Sequence, residues 1–468
     1  MVPVGGPVKA KSVPSSWLMR DGRRLDCNPY MSGALEAKVL LEGLKTSKIA
    51  LRDVTLGGMT GIFNGPRFAR SYVDDPKAGI PFLGSTDILN ADLTNLPRLS
   101  KKQVAANPRL VVHKDWTLIT CSGTIGRMTY ARPDMDGMAG SQHFMRVVPD
   151  AEKIPPGYLY AYLSSKFGVP LVVGGTYGAI IQHIEPEHIA DLPVPRLGKK
   201  IEATVHELID EAAQLRGEAA AAQREAITRV EGLLGWTAIP STAITQAASS
   251  ALQRRLDAFH HTPRVVGARE ALARRAAVRV GDKVESVFEP NRGPRLKVDD
   301  PAFGVPFLSS SEVFRLDPVG EYSISKRRTP HLDKLLVSER DLLLPRSGQL
   351  GGIIGRAVLP LPTYYGHAAS EHLVRVRCKS KEDAFFLWSV FASEPGYLAT
   401  IGTAFGSSIP SLDCELIADM QVPWFDDVKR LELSKLVAGS IEASTRAVHA
   451  ERKAVRIVED AIEKGATN

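Results

Sequence analysis

The sequence predicts a mixed α/β (α+β) module in tandem duplication, its two copies separated by long helices that pair as an antiparallel coiled coil. Three observations support this fold class. The chain contains one long internal repeat. Each copy holds short apolar runs bounded by Gly, Pro and Asn, which is typical of strands and turns. Each copy is followed by a long segment without proline whose apolar residues recur with a helical period.

The repeat runs through most of the 468 residues, with offsets between 225 (Asp74 to Asp299) and 231 (Arg23 to Arg254). The matching segments keep one order, which chance does not produce. They are Arg23-Arg24-Leu25-Asp26 with Arg254-Arg255-Leu256-Asp257, Gly65-Pro66-Arg67 with Gly293-Pro294-Arg295, Ile80-Pro81-Phe82-Leu83 with Val305-Pro306-Phe307-Leu308, Ser122-Gly123 with Ser347-Gly348, Ser141-Gln142-His143 and Arg146 with Ser370-Glu371-His372 and Arg375, Gly175-Thr176 with Gly402-Thr403, and Val194-Pro195 with Val422-Pro423.

The repeated unit is the size of a domain. Its period is far longer than the roughly 20 to 50 residues of solenoid repeats. One interpretation is a duplication that merely enlarges a structural protein. The other is a pair of similar modules that contact two similar halves of one long partner.

The two proline-free segments carry seams of apolar or small residues. In the segment from Lys199 to Leu234 the steps alternate between about four and three, as in a coiled coil. Its seam residues are Ile201, Val205, Leu208, Ala212, Leu215, Ala219, Ala222, Ala226 and Val230. Those of the segment from Val428 to Lys464 are Val437, Ile441, Val448, Val455, Val458 and Ile462.

Each of these helices is about 35 residues long, or roughly 50 Å at the rise of an α-helix. Either one alone would be marginally stable in water. We therefore expect the two to pair antiparallel, with separate surface helices as the alternative.

Within each module the pattern predicts short strands and two helices. The predicted helices are Ala34–Leu44 and Tyr158–Phe167 in the first copy and Ala268–Arg275 and Ala384–Ser393 in the second. The predicted strands are Leu110–His113, Thr117–Cys121, Gly126–Ala131 and Phe144–Val148, then Leu342–Leu344, Gly352–Val358 and Leu373–Val376.

The composition narrows the possible functions. The net charge of +7 and pI of about 9.1 weakly favour a nucleic-acid partner. The four cysteines form no CxxC pair, which argues against a disulfide scaffold or a zinc ribbon.

With no signal peptide and no apolar stretch long enough to span a membrane, we expect a cytoplasmic protein. The sequence contains no phosphate-binding Gly-x4-Gly-Lys-[Ser/Thr] loop and no glycine-rich cofactor loop, so we expect no cofactor in this chain.

Glycine-rich loops with nearby arginines recur at matching places in the two copies, and they are the candidate nucleic-acid contacts. Glycine lets a backbone N–H approach a phosphate closely. The side chains of Arg, Lys, Gln and Ser form hydrogen bonds with bases and phosphates. Simple turns, locally bonded histidines and solvated basic runs are the alternative interpretation. The candidates in the first copy are Arg67, Arg70, Ser122, Gly123, Thr124, Arg127, Gln142, His143, Thr176, Tyr177 and Gln182. Those in the second copy are Arg292, Arg295, Lys297, Lys326, Arg327, Arg346, Ser347, Gln349, His372, Ser407 and Ser408.

Several of these segments resemble the specificity subunits of type I restriction–modification enzymes. They are the Arg-Leu-Asp segment, Ile80-Pro81-Phe82-Leu83, the Ser122-Gly123-Thr124-Ile125-Gly126 loop, the Ser-x-His segment with its arginine and the closing Ala190-Asp191-Leu192-Pro193-Val194-Pro195. The order of module, long helix, module, long helix resembles these subunits as well. The loop of the second copy departs from the pattern by an insertion before Gly355-Arg356.

The resemblance implies a first target-recognition domain over residues 1–198, a central spacer helix over 199–235, a linker and second target-recognition domain over 236–427 and a C-terminal spacer helix over 428–468. Each domain would read one half of a bipartite, asymmetric double-stranded DNA site, and the helices would set the gap between the halves. They would also dock two adenine-N6 methyltransferase subunits and, in a full complex, two ATP-driven motor-nuclease subunits. S-adenosylmethionine, ATP and magnesium would then be bound by those partners in an anti-phage defence system.

The sequence leaves two other functions open. One is a DNA-cleaving restriction protein that acts alone. The other is a helical scaffold that organises proteins without touching DNA.

Overall fold

The computed structural model describes residues 10–20, 28–174, 183–240, 244–253, 255–274, 276–406 and 408–467. The chain divides into two compact units. Unit 1 comprises residues 1–217 and 447–468, and unit 2 comprises residues 218–446.

Unit 1 contains the following elements before the first long helix. Its helices are α1 (Ser15–Arg20), α2 (Asn28–Met31), α3 (Ala34–Gly43), α4 (Lys101–Ala105), α5 (Pro156–Leu163), α6 (Gly168–Gly174) and α7 (Pro186–Ile189). Its strands are β1 (Lys48–Ala50), β2 (Ile62–Asn64), β3 (Gly79–Leu83), β4 (Arg98–Ser100), β5 (Thr117–Thr120), β6 (Met128–Tyr130), β7 (Ala139–Gly140), β8 (Phe144–Val147) and β9 (Pro193–Pro195). The long helix α8 (Lys199–Leu234) then runs from unit 1 into unit 2.

Unit 2 has a matching set of elements. Its further helices are α9 (Pro263–Ala273), α10 (Val280–Lys283), α11 (Leu332–Leu335), α12 (Lys381–Ala392), α13 (Glu394–Ile401) and α14 (Cys414–Asp419). Its strands are β10 (Ala277–Arg279), β11 (Val284–Phe288), β12 (Lys297–Val298), β13 (Gly304–Leu308), β14 (Tyr322–Ser325), β15 (Asp341–Pro345), β16 (Ala368–Ala369), β17 (Leu373–Cys378) and β18 (Gln421–Pro423). The second long helix, α15 (Asp427–Thr467), follows β18.

The sheets of the two units share the order of their main strands and differ by one edge strand in each sheet, which shows the duplication in three dimensions. The central antiparallel sheet has the order β2-β8-β5-β6 in unit 1 and β11-β17-β15 in unit 2. A second, mixed sheet has the order β4-β3-β7 in unit 1 and β12-β14-β13-β16 in unit 2, and in both its one parallel pair joins the Pro-Phe-Leu strand to a two-residue strand. A small pair, β1-β9 or β10-β18, closes each module.

A buried arginine lies on an inner strand of each central sheet. In unit 2 the Arg375 guanidinium donates to the carbonyl oxygens of Ser370 (2.9 Å), Leu373 (2.6 Å), Ala369 (2.7 Å) and Leu335 (3.3 Å). Its side chain is inaccessible to solvent. One charged group therefore holds together the start of β17, the end of β16 and the end of α11.

Arg146 occupies the same place in unit 1. It donates to the carbonyl oxygens of Ser141 (3.0 Å), Phe144 (2.9 Å) and Leu110 (3.4 Å), and its guanidinium lies 4.4 Å from the centre of the Phe144 ring. Gly65 makes room for it, because a Cβ there would lie 3.0 Å from Nη1. Burial lowers the pKa of Arg146 to about 9 and that of Arg375 to about 10, so both remain charged at neutral pH.

The long helices pair within each unit. In unit 1, Val205, Ile209 and Ala213 of α8 share a core with three residues near the end of α15, namely Ala454, Val458 and Ile462. In unit 2 the core contains three residues of the second half of α8 and three near the start of α15, namely Ala226, Val230, Leu234, Leu433, Val437 and Ile441. In each unit the beginning of one helix thus lies against the end of the other, which confirms the antiparallel arrangement.

Ile209 and Ala213 were not among the predicted seam residues, whereas Leu208 was predicted and is only half-buried. The buried stripe of α8 is wider here because α5 packs against it. A Cβ on Gly157 would lie 2.9 Å from both His206 Nδ1 and Ile209 Cβ. Tyr160 of α5 donates to Glu451 of α15, which also pairs with Arg216.

The helix and strand predictions within the modules are mostly confirmed, with shifts of a few residues at their ends. Two strand predictions are wrong. Leu110–His113 follows a 3-10 turn at Pro108–Leu110 and contributes a single bridge from Val111 to Ala139. Gly352–Val358 is mostly turn, because Gly351 and Gly355 adopt left-handed φ angles of 89° and 70° that a strand does not allow. Of the Ala268–Arg275 prediction, Arg275 lies outside the described residues.

In the described part of the chain, no helix is both long enough and apolar enough to cross a membrane.

Replacing the buried arginine of unit 2 tests its structural role. Arg375→Met removes the donor of four buried carbonyl oxygens, and each unsatisfied buried polar group costs about 1–3 kcal/mol. We expect the free energy of unfolding of unit 2, followed by tryptophan fluorescence in urea, to fall by about 3 kcal/mol or more. The exposed Arg327→Met is the matched control and should leave the midpoint within error. Equal midpoints for the two variants would contradict the role assigned to Arg375.

Candidate nucleic-acid interface

Most of the described candidate contact residues of each module lie at one end of its central sheet. In unit 1 this end is where β2 and β5 finish, at Asn64 and Thr120, and where β8 begins, at Phe144. In unit 2 it is where β11 and β15 finish and β17 begins, at Leu373 opposite Pro345. We call these regions the sheet-end site of unit 1 and the sheet-end site of unit 2.

The loop between β5 and β6 is held by its own strand ends. Gly126 N donates to Thr120 O (2.8 Å), and the Thr120 hydroxyl donates to Thr124 O (2.6 Å). Gly123 has a left-handed φ of 78° and faces open space, where a Cβ would meet nothing within 4 Å. The exposed tip at Gly123 and Thr124 therefore presents backbone groups on a fixed base.

A chain of hydrogen bonds crosses the sheet-end site of unit 1. Arg70 Nη2 donates to Gln142 Oε1 (3.0 Å), and Gln142 Nε2 lies 3.0 Å from His143 Nε2. His143 Nδ1 lies 3.2 Å from the Ser122 hydroxyl. Four of the predicted contact residues, which come from three separate stretches of the sequence, are thus joined in one network.

The same chain continues through residues that the sequence analysis did not select. The Ser122 hydroxyl lies 3.0 Å from His183 Nδ1, and His183 Nε2 lies 3.2 Å from Glu185 Oε1. Asn64 Nδ2 donates to the other oxygen of Glu185 (3.0 Å). The network therefore ends on a carboxylate at the far side of the site.

One arrangement of protons satisfies every bond in this network. Burial, with the positive charges of Arg70 and Arg67, lowers the pKa of His143, which keeps its ring neutral at pH 7. A neutral ring has one donor and one acceptor nitrogen. With Nε2 accepting from Gln142 and Nδ1 donating to Ser122, every donor in the chain points from Arg70 towards Glu185.

The sheet-end site of unit 2 is built around Arg295. Its Nη2 donates to Glu371 Oε1 (2.5 Å) and its Nη1 to the Tyr322 hydroxyl (3.3 Å). The guanidinium lies over the Phe307 ring, 4.5 Å from its centre. Burial opposes the charge of Arg295, but the bonds to Glu371 and Tyr322 outweigh it and raise the pKa. Burial would likewise raise the pKa of Glu371, yet the bond from Arg295 holds it below its ordinary value.

Other predicted residues of this site are also engaged. Arg346 Nε pairs with Glu289 (2.8 Å), and the hydroxyls of Ser347 and Ser411 lie 2.8 Å apart. Lys297 lies over the Tyr322 ring at 4.2 Å. Ser411 stands where His183 stands in unit 1, since each forms a bridge with the serine of the loop.

The loop insertion in unit 2 produces a different tip. Gln349 is exposed, and so are Leu350 (38%) and Ile353 (37%). Gly348 N donates to Pro410 O (3.1 Å), which places this tip beside the loop that carries Ser408. Unit 2 thus presents an apolar tip where unit 1 presents Gly123 and Thr124.

The Arg-Leu-Asp segment of the second copy positions the neighbouring loop. Arg255 donates to the carbonyl oxygens of Gly402 (3.3 Å), Thr403 (2.9 Å) and Ala404, which follow the end of α13. Asp257 accepts from Arg255 Nε (2.7 Å). This segment is therefore part of the framework, and its counterpart at Arg23 to Asp26 lies outside the described residues.

The spatial counterpart of Arg295 is Arg70 and not Arg67, which the Gly-Pro-Arg match had suggested. Arg70 lies 5.0 Å from the ring centre of Phe82, as Arg295 does over Phe307, and both bond the middle residue of Ser-x-His. The offset of 225 residues from Phe82 to Phe307 also holds from Arg70 to Arg295 and could have revealed the pairing.

The predicted site residues fall into three groups. Those at the two sheet-end sites are Arg67, Arg70, Ser122, Gly123, Thr124, Arg127, Gln142, His143, Arg295, Lys297, Arg346, Ser347, Gln349 and His372. Exposed residues on flanking segments, for which no contact with these sites is seen, are Arg292, Lys326, Arg327 and Ser408. Those outside the described residues are Thr176, Tyr177, Gln182 and Ser407.

Sequence reasoning missed the partners Asn64, His183, Glu185, Glu289, Glu371 and Ser411. Only Glu371 had a signal, as the central residue of the repeated Ser-x-His segment. The described residues contain no cluster of three or more His, Cys, Asp or Glu side chains arranged to hold a metal ion.

The two sites can form hydrogen bonds of several kinds. Arginine, amide, hydroxyl and imidazole groups and open backbone stand together at one sheet end, which suits recognition of an edge rich in donors and acceptors. The sites share their framework and differ in the groups they present.

No protein-family model matches the sequence, and no curated protein matches it significantly. Solved structures similar to it include a type I restriction–modification S subunit from M. genitalium, with 10% identity and a TM-score of 0.34 over 90% of this chain and 96% of that one. The HsdS subunit from Thermoanaerobacter tengcongensis has 13% identity and a TM-score of 0.28 over 89% and 96%. A structure from a study of assembly and conformational transition in the type I R-M system has 13% identity and a TM-score of 0.28, and the match covers 90% of this chain and 97% of that one. The chain is thus similar to type I S subunits.

Proposed function

We propose that this chain is the DNA sequence-specificity subunit of a type I restriction–modification complex that methylates adenine at N6. Each module reads one half of a bipartite, asymmetric site, and the chain itself carries no catalytic centre. The observation that carries the proposal is the pair of sheet-end sites, which have one framework and different presented groups. Two readers of unlike half-sites need that combination.

The charges and groups at these sites support a DNA partner. Arg67 and Arg70 are exposed at the sheet-end site of unit 1, and Lys297 is exposed at that of unit 2. Phosphate contacts by such side chains position a protein on the duplex, and bonds to base edges supply its specificity. The net charge of +7 favours the same partner.

The antiparallel helices support the remaining parts of the proposal. We infer that α8 and α15 set the gap between the two half-sites and dock two methyltransferase subunits. In a full complex, two motor-nuclease subunits would join them. S-adenosylmethionine, ATP and magnesium would then be bound by those partners.

Removing Arg70 tests DNA reading directly. Arg70→Ala in the full chain should weaken binding to a duplex carrying the methylated site by about 1–3 kcal/mol, the worth of one good base contact. Fluorescence anisotropy gives the affinity. The control is Arg52→Ala, which removes an equal charge from the ion pair with Asp191 (2.8 Å) at the opposite end of the module. Equal affinities for the two variants would contradict a reading role, and wild-type chain that cleaves DNA with magnesium alone would favour the restriction enzyme.

Lengthening both long helices tests the spacing role. One heptad inserted after Gly217 and another after Arg446 keeps the apolar period of α8 and α15 and adds about 10 Å. We expect the gap between methylated half-sites to grow by roughly three base pairs, at about 3.4 Å each. Sequencing of N6-methyladenine in cells that express the methyltransferase subunits measures this. A variant that methylates with an unchanged gap would show that the helices do not set it.

A further inference from the structure

We propose that the middle residue of the Ser-x-His segment, Gln142 in unit 1 and Glu371 in unit 2, decides whether the neighbouring arginine offers its charge to DNA. Arg70 then carries a DNA contact that its counterpart Arg295 does not carry. The inference rests on the proposed function and goes beyond it, because it names the position that controls this DNA contact and assigns it opposite roles in the two modules.

The two positions have the same surroundings and differ in charge. Each arginine lies over the phenylalanine of its Pro-Phe-Leu strand, at 5.0 Å for Arg70 and 4.5 Å for Arg295. Each donates through Nη2 to an Oε1 atom, at 3.0 Å in unit 1 and 2.5 Å in unit 2. The acceptor is a neutral amide in Gln142 and a carboxylate in Glu371.

Glu371 neutralises Arg295 within the protein. Its side chain is only 8% exposed and that of Arg295 is 34% exposed, so the ion pair is partly shielded from water. The second arm of Arg295 is turned to the Tyr322 hydroxyl. A phosphate or a guanine would have to displace Glu371 from a well-formed ion pair with Arg295. The Glu371 carboxylate would also repel a negatively charged phosphate or the electronegative edge of a guanine.

Gln142 leaves the charge of Arg70 in place. Arg70 is exposed, its hydrogen bond is to an amide, and a guanidinium has five donors. The other end of the Gln142 amide is occupied by His143, which holds the amide oriented with its oxygen towards Arg70. The sheet-end site of unit 1 therefore presents a full positive charge on a positioned arm, which suits a phosphate or the acceptor edge of a guanine.

Exchanging the two residues tests the proposal. Glu371→Gln creates in unit 2 the pair found in unit 1, and Gln142→Glu does the reverse. Glu285→Gln is the matched control, because it removes the same charge from an Arg–Glu pair (Arg340, 2.7 Å) at the opposite end of the central sheet. Each full-length variant is titrated against a fluorescent, mixed-sequence duplex of about 40 base pairs at several KCl concentrations.

The readout is the slope of log affinity against log salt, which changes by about 0.9 for each phosphate that the protein neutralises. We expect Glu371→Gln to steepen the slope by about 0.9 and Gln142→Glu to flatten it by about 0.9, while Glu285→Gln matches the wild type. Between about 50 and 200 mM salt, a change of 0.9 in slope corresponds to about a threefold difference in how far affinity falls.

Slopes for Gln142→Glu and Glu371→Gln that equal that of the control would overturn the inference and leave the proposed function standing. A wild-type chain with no salt-dependent affinity for the duplex would overturn both. If Glu371→Gln fails to fold, as judged by circular dichroism, Gln142→Glu decides alone, since an unflattened slope contradicts the role given to this position.

Discussion

The structure of each module depends on one buried guanidinium. Arg375 and Arg146 bond backbone carbonyl oxygens from segments that are distant in sequence, and in doing so they tie these segments to the central sheet. A buried charge is costly unless its hydrogen bonds are satisfied, so the turn that supplies Ser141 O or Ser370 O is held in one shape. That turn contains the Ser-x-His segment. The hydrogen bonds of Arg146 and Arg375 therefore fix the position of the Ser-x-His side chains that could contact a partner.

This construction separates framework from recognition. The residues that are repeated in the sequence belong to the framework. They include the buried arginines Arg146 and Arg375, the Pro-Phe-Leu strands and the segment of Arg255, which bonds the carbonyl oxygens of residues 402–404. The residues that differ between the two copies, such as Gln142 and Glu371, lie next to the framework residues at the sheet-end sites. Unit 1 has a chain of hydrogen bonds from Arg70 to Glu185, whereas unit 2 has two ion pairs and an apolar loop tip. A duplicated scaffold can therefore serve two unlike ligand edges without a change of fold.

Much of the fold could be predicted from the sequence because its signals are local or repeated. The duplication, the modules' mixed composition and the seams of α8 and α15 follow from spacing alone. Ile209 was missed because the packing of α5 against α8 widens the buried stripe, and no helical period in the sequence records that contact. The Gly352–Val358 strand was wrong because two left-handed glycines outweigh its apolar residues. Partners such as His183 and Glu289 could not be predicted, since only the folded sheet brings them to the loop serine and to Arg346.

We propose that two modules with one framework read two different DNA half-sites. A map of N6-methyladenine across the genome of the host, with this chain present and with it deleted, tests that claim most directly. We expect one bipartite, asymmetric motif whose halves lie about one helical turn apart and which disappears on deletion. A single uninterrupted palindrome, or a motif that survives deletion, would contradict it.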